Sequence, residues 1–396
     1  MLFRSDGKGR IRLRVNGYLE ILRDGISLAD MGQMVTWIKA QAGTMNISER
    51  RRPLDGSMRM SLTDAGVEHI VDVRISATPT VYGQKMVLRL LDPNTLKERS
   101  ALGLAGAIWD KGVLSHFEKA LKMRDGIVLV TGPTGSGKTT TLNVALRYLL
   151  EPHMYGQTRN IVTVEDPVEY KIPGINQTQV NEAADVTFAT MLRSLLRQDP
   201  DIMLVGEIRD RETAQIAVQA ALTGHLILST LHTNDALGAI PRLADLGVSR
   251  FLIGSTLRLV QAQRLVRRLC SVCGRRNPIG GDALIRKVQA SRLASFADVL
   301  SAEGAAVYEP SQCARCGFTG YDSRIAVMEV VFSTPHLVAG IEADLAQVEL
   351  EAVARRASGF RTMVEGGVDM VAGGATTIGE VETICMANLQ EDDAGK

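Results

Sequence analysis

The chain has 396 residues, of which 45% are hydrophobic, so it can bury at least two cores and is neither disordered nor fibrous. Its 45 Lys and Arg residues nearly cancel its 44 Asp and Glu residues, which removes the simple electrostatic argument for a nucleic-acid or anionic-membrane partner. The first ten residues contain no apolar signal region, and no stretch approaches the roughly 18 apolar residues of a membrane span. Five cysteines in a chain of this length favour metal or structural thiols. We therefore expect a cytoplasmic protein.

The first hundred residues predict the strands of a small α+β domain. Three segments alternate polar and apolar side chains, as half-buried strands do: 10–17, 71–75 and 85–91. The first segment ends at Asn16-Gly17, a dipeptide that favours a two-residue hairpin turn, and Pro79 and Gly83 supply turn residues between the other two. We therefore assign residues 1–93 to this domain.

From about residue 101, short apolar strands alternate with helical segments. Four runs rich in Val, Ile and Leu are typical of buried parallel strands: 127–130, 161–164, 202–205 and 226–229. Apolar residues at helical spacing follow, for example Leu142, Leu146 and Leu149 after the first run. This alternation predicts a doubly wound α/β domain, which we assign to 106–266 after a linker at 94–105.

Residues 132–139 match the phosphate-binding pattern Gly-x-x-x-x-Gly-Lys-Thr and lie between a buried strand and an amphipathic helix. Glycines let backbone N–H groups wrap phosphates, and the helix N-terminus favours an anion. We expect Lys138 to reach the β- and γ-phosphates of ATP and the Thr139 hydroxyl to bind Mg²⁺. The predicted nucleotide-binding residues run along the loop and into the helix: Gly132, Pro133, Thr134, Gly135, Ser136, Gly137, Lys138, Thr139 and Thr140. The strand–helix context disfavours the alternative of a chance glycine-rich turn.

Three more segments follow the predicted strands, at the edge where ligands bind in open α/β sheets; they carry Glu165, Glu207 and His232. Many P-loop proteins place Asp at the end of the third strand to hold Mg²⁺, but Gly206 stands there. We therefore expect Glu207 to act near the metal, with help from Glu165. Taken singly, Glu165 could cap a helix and Glu207 could pair with Arg209. His232 alone could be a hydrogen-bonded core histidine, but three such residues beside a phosphate loop favour catalysis.

Cysteine spacing predicts a structural zinc site. Two Cys-x-x-Cys pairs, each followed by glycine, supply four thiolates for tetrahedral Zn²⁺: Cys270, Cys273, Cys313 and Cys316. The 39 residues between the pairs exceed the usual zinc-ribbon spacing, so reduced cysteines on two turns remain the alternative. We assign 267–332 to a tetracysteine zinc subdomain and 333–396 to a helical region. Four apolar residues predict the core face of that helical region: Leu345, Val348, Leu350 and Val353.

Together these segments resemble the secretion-ATPase superfamily, specifically the GspE/PilB-type assembly ATPases of type II secretion and type IV pili. The resemblance covers nearly the whole chain. Residues 162–170 are similar to the family's Asp box, 192–210 to its Walker B region with the same Gly-Glu pair, and 223–234 to its His box. Gln263-Arg-Leu265, followed by the tetracysteine set, favours an assembly ATPase over the retraction type.

The resemblance implies a RecA-like core behind a PAS-like N-terminal domain, and it implies roles for single residues. Glu165 and Glu207 would organise metal and water, and His232 would sense or position near the γ-phosphate. Four arginines match those that the family directs at the nucleotide: Arg74, Arg89, Arg193 and Arg197. The first two lie in the N-terminal domain and would close over the site or act as arginine fingers. Without the resemblance, surface salt bridges would be the better interpretation of all four.

The resemblance further implies a homohexameric cytoplasmic motor that hydrolyses ATP to drive pilin or pseudopilin assembly. Such a motor would associate with the inner membrane peripherally, through a platform protein, and would not bind nucleic acid directly. A conjugation-type or helicase-like ATPase is the alternative, and a nucleotide-binding scaffold without hydrolysis is a third interpretation. The sequence departs from the family pattern in 52–57 and at Gln84, where Glu is usual. Met1 is expected to fall inside the domain that follows the family's membrane-docking domain.

Overall fold

A computed structural model describes residues 2–5, 8–64, 67–91, 103–152, 154 and 158–392. The chain divides into two compact units, Met1–Glu98 and Arg99–Lys396, which we describe separately. Residues 94–102 of the predicted linker lie outside the described residues. Within the described ranges, no helix combines the length and the apolar character that a membrane crossing requires.

In the described part of the first unit, a six-stranded antiparallel sheet packs with one helix. Its elements are β1 Leu2–Ser5, β2 Gly9–Val15, β3 Tyr18–Ile26, α1 Leu28–Gln41, β4 Leu54–Asp64, β5 Val67–Thr80 and β6 Gly83–Leu91. The strands are ordered β3-β2-β1-β6-β5-β4. Helix α1 begins after Ser27, whose hydroxyl accepts from the N–H of Asp30. Its apolar residues pack on alternate residues of β5, including Val71, Val73 and Ile75.

The predicted hairpin at Asn16-Gly17 is confirmed. The φ angles of these residues, 48° and 94°, lie in the left-handed region that a two-residue turn between β2 and β3 requires. The turn predicted between the other two segments also forms, between β5 and β6, but it is at Val81-Tyr82. Pro79 lies inside β5 instead. The paired strand β4 begins at Leu54, opposite Ala77, so one edge of β5 is open at Pro79, a residue without an N–H.

The second unit contains a mixed seven-stranded sheet and most of the helices. Its strands are β7 Gly126–Thr131, β8 Ile161–Glu165, β9 Asn176–Gln179, β10 Ile202–Val205, β11 Leu226–Leu231, β12 Leu257–Leu269 and β13 Tyr321–Phe332. Its first helices are α2 Gly103–Ala107, α3 Lys111–Leu121, α4 Lys138–Leu149, α5 Phe188–Leu195, α6 Arg211–Leu222, α7 Ala239–Asp245 and α8 Arg250–Thr256. The others are α9 Gly281–Gln289, α10 Ala297–Leu300, α11 Pro335–Glu342, α12 Gln347–Ser358, α13 Met363–Ala372 and α14 Ile378–Asp392.

The sheet order is β13-β12-β7-β11-β10-β8-β9, parallel except for β13, which runs antiparallel to β12. Alternate residues of β7 enter two cores: Ile127 and Leu129 pack on one face, and Val128 and Val130 on the other. Helices α2, α3 and α4 cover the second face, and α6, α7 and α8 cover the first. A sheet between two helical layers is the predicted doubly wound α/β class, which is confirmed together with its four buried parallel strands.

The chain after β13 is helical, as predicted, but one residue of its expected core face points to solvent. Leu350 is 2% exposed, and Leu345 and Val353 pack on the same cluster, whereas Val348 is 79% exposed. Helix α12 begins only at Gln347, so Leu345 lies outside the helix. The four residues therefore do not follow one helical phase, and the prediction for Val348 was wrong.

Candidate functional site

The loop between β7 and α4 has the conformation that the phosphate-binding pattern predicts. Gly132, Gly135 and Gly137 have φ angles of 137°, 82° and 94°, a region that side chains other than glycine rarely adopt. A Cβ on Gly132 would also collide with the backbone oxygen of Gln263. Glycine is therefore required where the loop passes β12, and the helix that follows begins at Lys138 with its N-terminus directed to the loop.

Lys138 is folded onto the loop that precedes it. Its Nζ donates to the backbone oxygen of Gly132 at 2.6 Å and to that of Pro133 at 3.2 Å. Burial lowers the pKa of Lys138, and the negative charge of Glu207 only partly opposes that shift. Carbonyl oxygens are neutral acceptors, so a phosphate would give this ammonium stronger, charge-assisted bonds. Thr139 follows, exposed, on the first turn of α4.

Gln263 in β12 holds the loop from behind, a role that sequence reasoning missed. It is 1% exposed; its Nε2 donates to the backbone oxygen of Ser136 at 2.7 Å, and its Oε1 accepts from the hydroxyl of Thr141 at 2.9 Å. One side chain thus connects the phosphate loop to the first turn of α4. No pattern in the sequence singles out Gln263, because β12 also contains Gln261 and four arginines.

The Gly-Glu pair after β10 has a steric cause. A Cβ on Gly206 would lie 3.2 Å from the backbone oxygen of Val164 and 3.3 Å from the ring of Phe188. A side chain at that position would have to displace one of these neighbours. The carboxylate near the site is therefore supplied by the next residue, Glu207.

Glu207 is 9% exposed and lies between two basic side chains. One carboxylate oxygen accepts from Arg209, and the other lies 3.5 Å from Nε2 of His232. The hydrogen bond to Glu207 raises the pKa of Arg209. Glu207 therefore forms the ion pair with Arg209 that was the alternative interpretation, and it also lies beside His232.

Glu165 is buried at the end of β8 and does not cap a helix. Its Oε1 accepts from the hydroxyl of Thr163 at 2.7 Å and from Nε2 of Gln177 at 2.9 Å. Because the strands run β7-β11-β10-β8 in parallel, the phosphate loop, His232, Glu207 and Glu165 follow their carboxyl ends in that order. A cleft of about 590 Å³ lies beside the loop, lined by 132–134 and by residues from the segment 232–245.

The four arginines fall into two pairs. Arg74 and Arg89 face each other directly across β5 and β6 in the first unit, and within the described ranges neither takes part in an ion pair. Like charges placed directly opposite destabilise a sheet, so this pair favours an anion as its partner. Arg193 and Arg197 belong to the second unit and are exposed; Arg193 forms an ion pair with Glu212.

The four predicted zinc ligands form one cluster. The sulfur atoms of Cys270 and Cys313 are 3.8 Å apart, those of Cys273 and Cys316 3.8 Å, and those of Cys313 and Cys316 3.7 Å. All four lie within 4.8 Å of one another. A tetrahedron with Zn–S bonds of about 2.3 Å has sulfur–sulfur edges of about 3.8 Å, so the thiols fit Zn²⁺.

The long spacing between the cysteine pairs is bridged by the sheet. The first pair follows the end of β12 and the second precedes β13, and these strands pair with each other. The chain between them forms α9 and α10, which pack on α13 and α14. Burial raises the pKa of Cys273 to about 12. In Cys316 burial acts in the same direction, but the N–H of Gly320, the backbone at Cys313 and the neighbouring thiols outweigh it and lower the pKa to about 6.

A phosphate loop on a buried parallel sheet, with Glu207 and His232 after the neighbouring strands, defines a P-loop ATPase core. The sequence matches the family described as "Type II/IV secretion system protein" over residues 2–383. It is 45% identical over 374 residues to the type II secretion system protein E of Klebsiella pneumoniae, covering 94% of this chain and 69% of that protein. The chain therefore belongs to this family, and the predicted resemblance is confirmed.

Other relatives and solved structures agree. The chain is 42% identical to the type II secretion system ATPase E of Vibrio cholerae, over 94% of this chain and 68% of that protein. It is 42% identical to the type IV pilus assembly ATPase PilB of Thermus thermophilus, over 94% of this chain and 39% of that protein. The structure of the Legionella pneumophila ATPase DotB matches with a TM-score of 0.67 at 21% identity, covering 98% of this chain and 91% of that one. The pilus retraction motor PilT matches with a TM-score of 0.58 at 22% identity, covering 97% and 92%. These two structures show the fold alone.

Proposed function

We propose that this chain is a cytoplasmic motor that hydrolyses ATP to drive pilin or pseudopilin assembly in a type II secretion or type IV pilus machine. The observation that carries the proposal is the row of Lys138, Glu207 and His232 along one edge of the core sheet. This row occurs in a chain that shares 42% identity with a secretion ATPase and with a pilus assembly ATPase.

In this proposal Lys138 leaves the carbonyl oxygens of Gly132 and Pro133 and binds the β- and γ-phosphates. The hydroxyl of Thr139 and the carboxylate of Glu207 would hold Mg²⁺, since oxygen donors suit that ion, and the bound ion would neutralise charge on the phosphates. Glu207, with one oxygen beside His232, orients the attacking water, and Glu165 supports the same edge from β8.

Positive charge at the transition state is the proposed contribution of the arginines. Arg74 and Arg89 form no ion pair in the described part of the first unit, and the nucleotide would supply an anionic partner for both. Arg193 would exchange its present partner Glu212 for the phosphates, and Arg197 would add a further charge. A closed homohexameric ring is the assembly we propose for bringing such groups to every site, because symmetric closure satisfies all subunits equally.

The cysteine cluster is the proposed site of a structural Zn²⁺ ion, since a closed four-thiolate set leaves no position for a substrate. An inner-membrane platform protein is the proposed partner, which would hold the motor at the membrane peripherally. Residues 1–93, 106–266, 267–332 and 333–396 are the proposed domains, joined after the first by a linker at 94–105.

ATP turnover of the wild type and of Glu207→Gln tests the proposal. Removal of one carboxylate charge beside the reacting phosphate is expected to lower kcat by about 100-fold or more, while nucleotide binding persists. The matched control is Glu303→Gln, an exposed residue far along the chain, which should leave turnover unchanged. Equal turnover of Glu207→Gln and the wild type would overturn the assignment of hydrolysis to this site.

A further inference from the structure

A buried carboxylate in β13 lies outside the residues assigned to catalysis. Glu329 is 4% exposed, and its two oxygens accept from the backbone N–H groups of Ala236 and Met363, each at 2.7 Å. Among the described residues, no lysine, arginine or histidine forms an ion pair with it. Burying a carboxylate without a cation is costly, so these two amides are its principal compensation.

The two amides belong to different parts of the second unit. Ala236 lies four residues after His232, in the segment that leads from β11 into α7. Met363 is the first residue of α13, so Glu329 also meets a helix N-terminus, where the backbone dipole favours an anion. Glu329 therefore connects the segment that carries His232 to the C-terminal helices.

A second hydrogen bond joins the same parts of the molecule. Asp235, next to Ala236, accepts from Nε2 of Gln347 at 3.2 Å, and Gln347 is the first residue of α12. The bond between Gln347 and Asp235 is one exposed hydrogen bond, whereas Glu329 accepts two buried ones. Removing one partner of a buried polar pair leaves a group that water cannot reach, so the Glu329 connection is the stronger of the two.

We propose that ionised Glu329 is a positioning residue for hydrolysis, which holds the His232 segment against α13 so that the segment and the C-terminal helices move together. The inference rests on the proposed role of His232 near the γ-phosphate. An ionised carboxylate accepts both amides at once. A protonated carboxyl, or a glutamine, has only one oxygen that accepts well, and its donor faces the second N–H. Either change releases one side of the connection.

The surroundings of Glu329 place the protonation of its carboxylate in an accessible pH range. Burial raises its pKa to about 7, against the opposing effect of the two amides. The titratable and charged side chains on the elements around it include His232 and Asp235 of the segment after β11, Arg264 of β12, Glu351 and Arg355 of α12, and Glu365 of α13; of these, Asp235 and Glu351 raise the pKa of Glu329 further. Positioning by the anion is thus lost as pH falls through about 7. The stability contribution has the opposite sign, because a carboxyl with a raised pKa destabilises the fold as pH rises from 4.5 toward 7.

The test compares ATP turnover of the wild type and Glu329→Gln between about pH 6 and about pH 8.5. At the upper end, kcat of the variant should be lower by about 10-fold or more, with KM nearly unchanged because the phosphate loop is intact. At the lower end, protonation makes the wild type resemble the variant, so the ratio of the two kcat values should approach unity. Glu342→Gln, on the exposed surface of α11, is the control and should match the wild type throughout.

A kcat ratio that does not change with pH, or a loss confined to KM, would show that Glu329 only fills space and would overturn the inference. Inactive wild-type protein would instead refute the proposed function. Hydrogen exchange in the wild type keeps the inference testable if the variant does not fold. Peptides covering 233–240 and 361–368 should lose protection together as pH falls through about 7, after correction for intrinsic exchange. Independent behaviour of the two peptides would contradict the connection.

Discussion

Replacement of Gln263 by methionine tests whether the phosphate loop is held in place from β12. Methionine matches the size of glutamine but can neither donate to the backbone oxygen of Ser136 nor accept from the hydroxyl of Thr141. Oε1 of Gln263 also accepts from Nε2 of Gln261 at 3.0 Å, so three buried partners would each lose a bond. An unsatisfied buried group costs about 1–3 kcal/mol, so we expect Gln263→Met to destabilise the second unit by about 3 kcal/mol or more.

The assay is urea denaturation followed by the fluorescence of Trp109, in a Trp37→Phe background, because the two tryptophans lie in different units. The affinity for a fluorescent ADP analogue should fall with the stability of the loop. Thr141→Val removes one of the three partners, so in a double-mutant cycle it should couple to Gln263→Met by about 1 kcal/mol. The exposed control Gln312→Met should change stability by less than about 0.5 kcal/mol. Gln263→Met with wild-type stability and wild-type ADP affinity would refute the reasoning.

Two further predictions concern buried groups with unusual partners. Cys273→Ser should release about one zinc ion per chain and loosen 267–330 while nucleotide binding persists, as metal analysis and limited proteolysis would show. Cys385→Ser is the control and should retain the metal. Wild-type protein without zinc would contradict the proposed site. Lys39 is 1% exposed, and among the described residues its Nζ donates only to neutral acceptors, the backbone oxygen of Glu49 at 2.6 Å and Oε1 of Gln84 at 2.9 Å. Gln84→Glu gives the ammonium an anionic partner but loses the bond that Nε2 of Gln84 donates to the backbone oxygen of Glu49 at 3.3 Å. The net stabilisation of the first unit should therefore be about 1 kcal/mol, measured by Trp37 fluorescence during denaturation, and a lower midpoint than that of the wild type would be the contrary result.

Local patterns in the sequence predicted the elements that depend on near neighbours. The hairpin at Asn16-Gly17 and the phosphate loop each lie within a few residues, and their chemistry can be recognised without the rest of the chain. Predictions failed where the result depended on the phase of a helix or on which strands pair with each other. Pro79 lies in a strand because the paired strand β4 begins only opposite Ala77. Val348 is exposed because it lies two residues from the buried Leu350 in one helix, and residues at that spacing point to different faces.

The supporting residues of the site could not be identified from spacing. Gln263 and Ser136 are 127 positions apart, and Glu329 and Ala236 are 93 apart. These pairs meet only when β12 and β13 complete the sheet, and nothing in the neighbouring sequence specifies which buried polar side chain will face which backbone group. The cysteine cluster lies between these cases: its ligands could be named, but their long separation is explained only by the pairing of the two strands.

The most direct test of the central claim is a charge-neutral replacement of Lys138, the lysine proposed to bind the phosphates. Lys138→Met should weaken ATP binding and lower turnover together, by about 100-fold or more in kcat/KM, because no other described side chain stands on the loop with that charge. The exposed Lys111→Met is the matched control and should behave as the wild type does. Unchanged affinity and turnover in Lys138→Met would contradict the account of this chain as an ATP-driven motor.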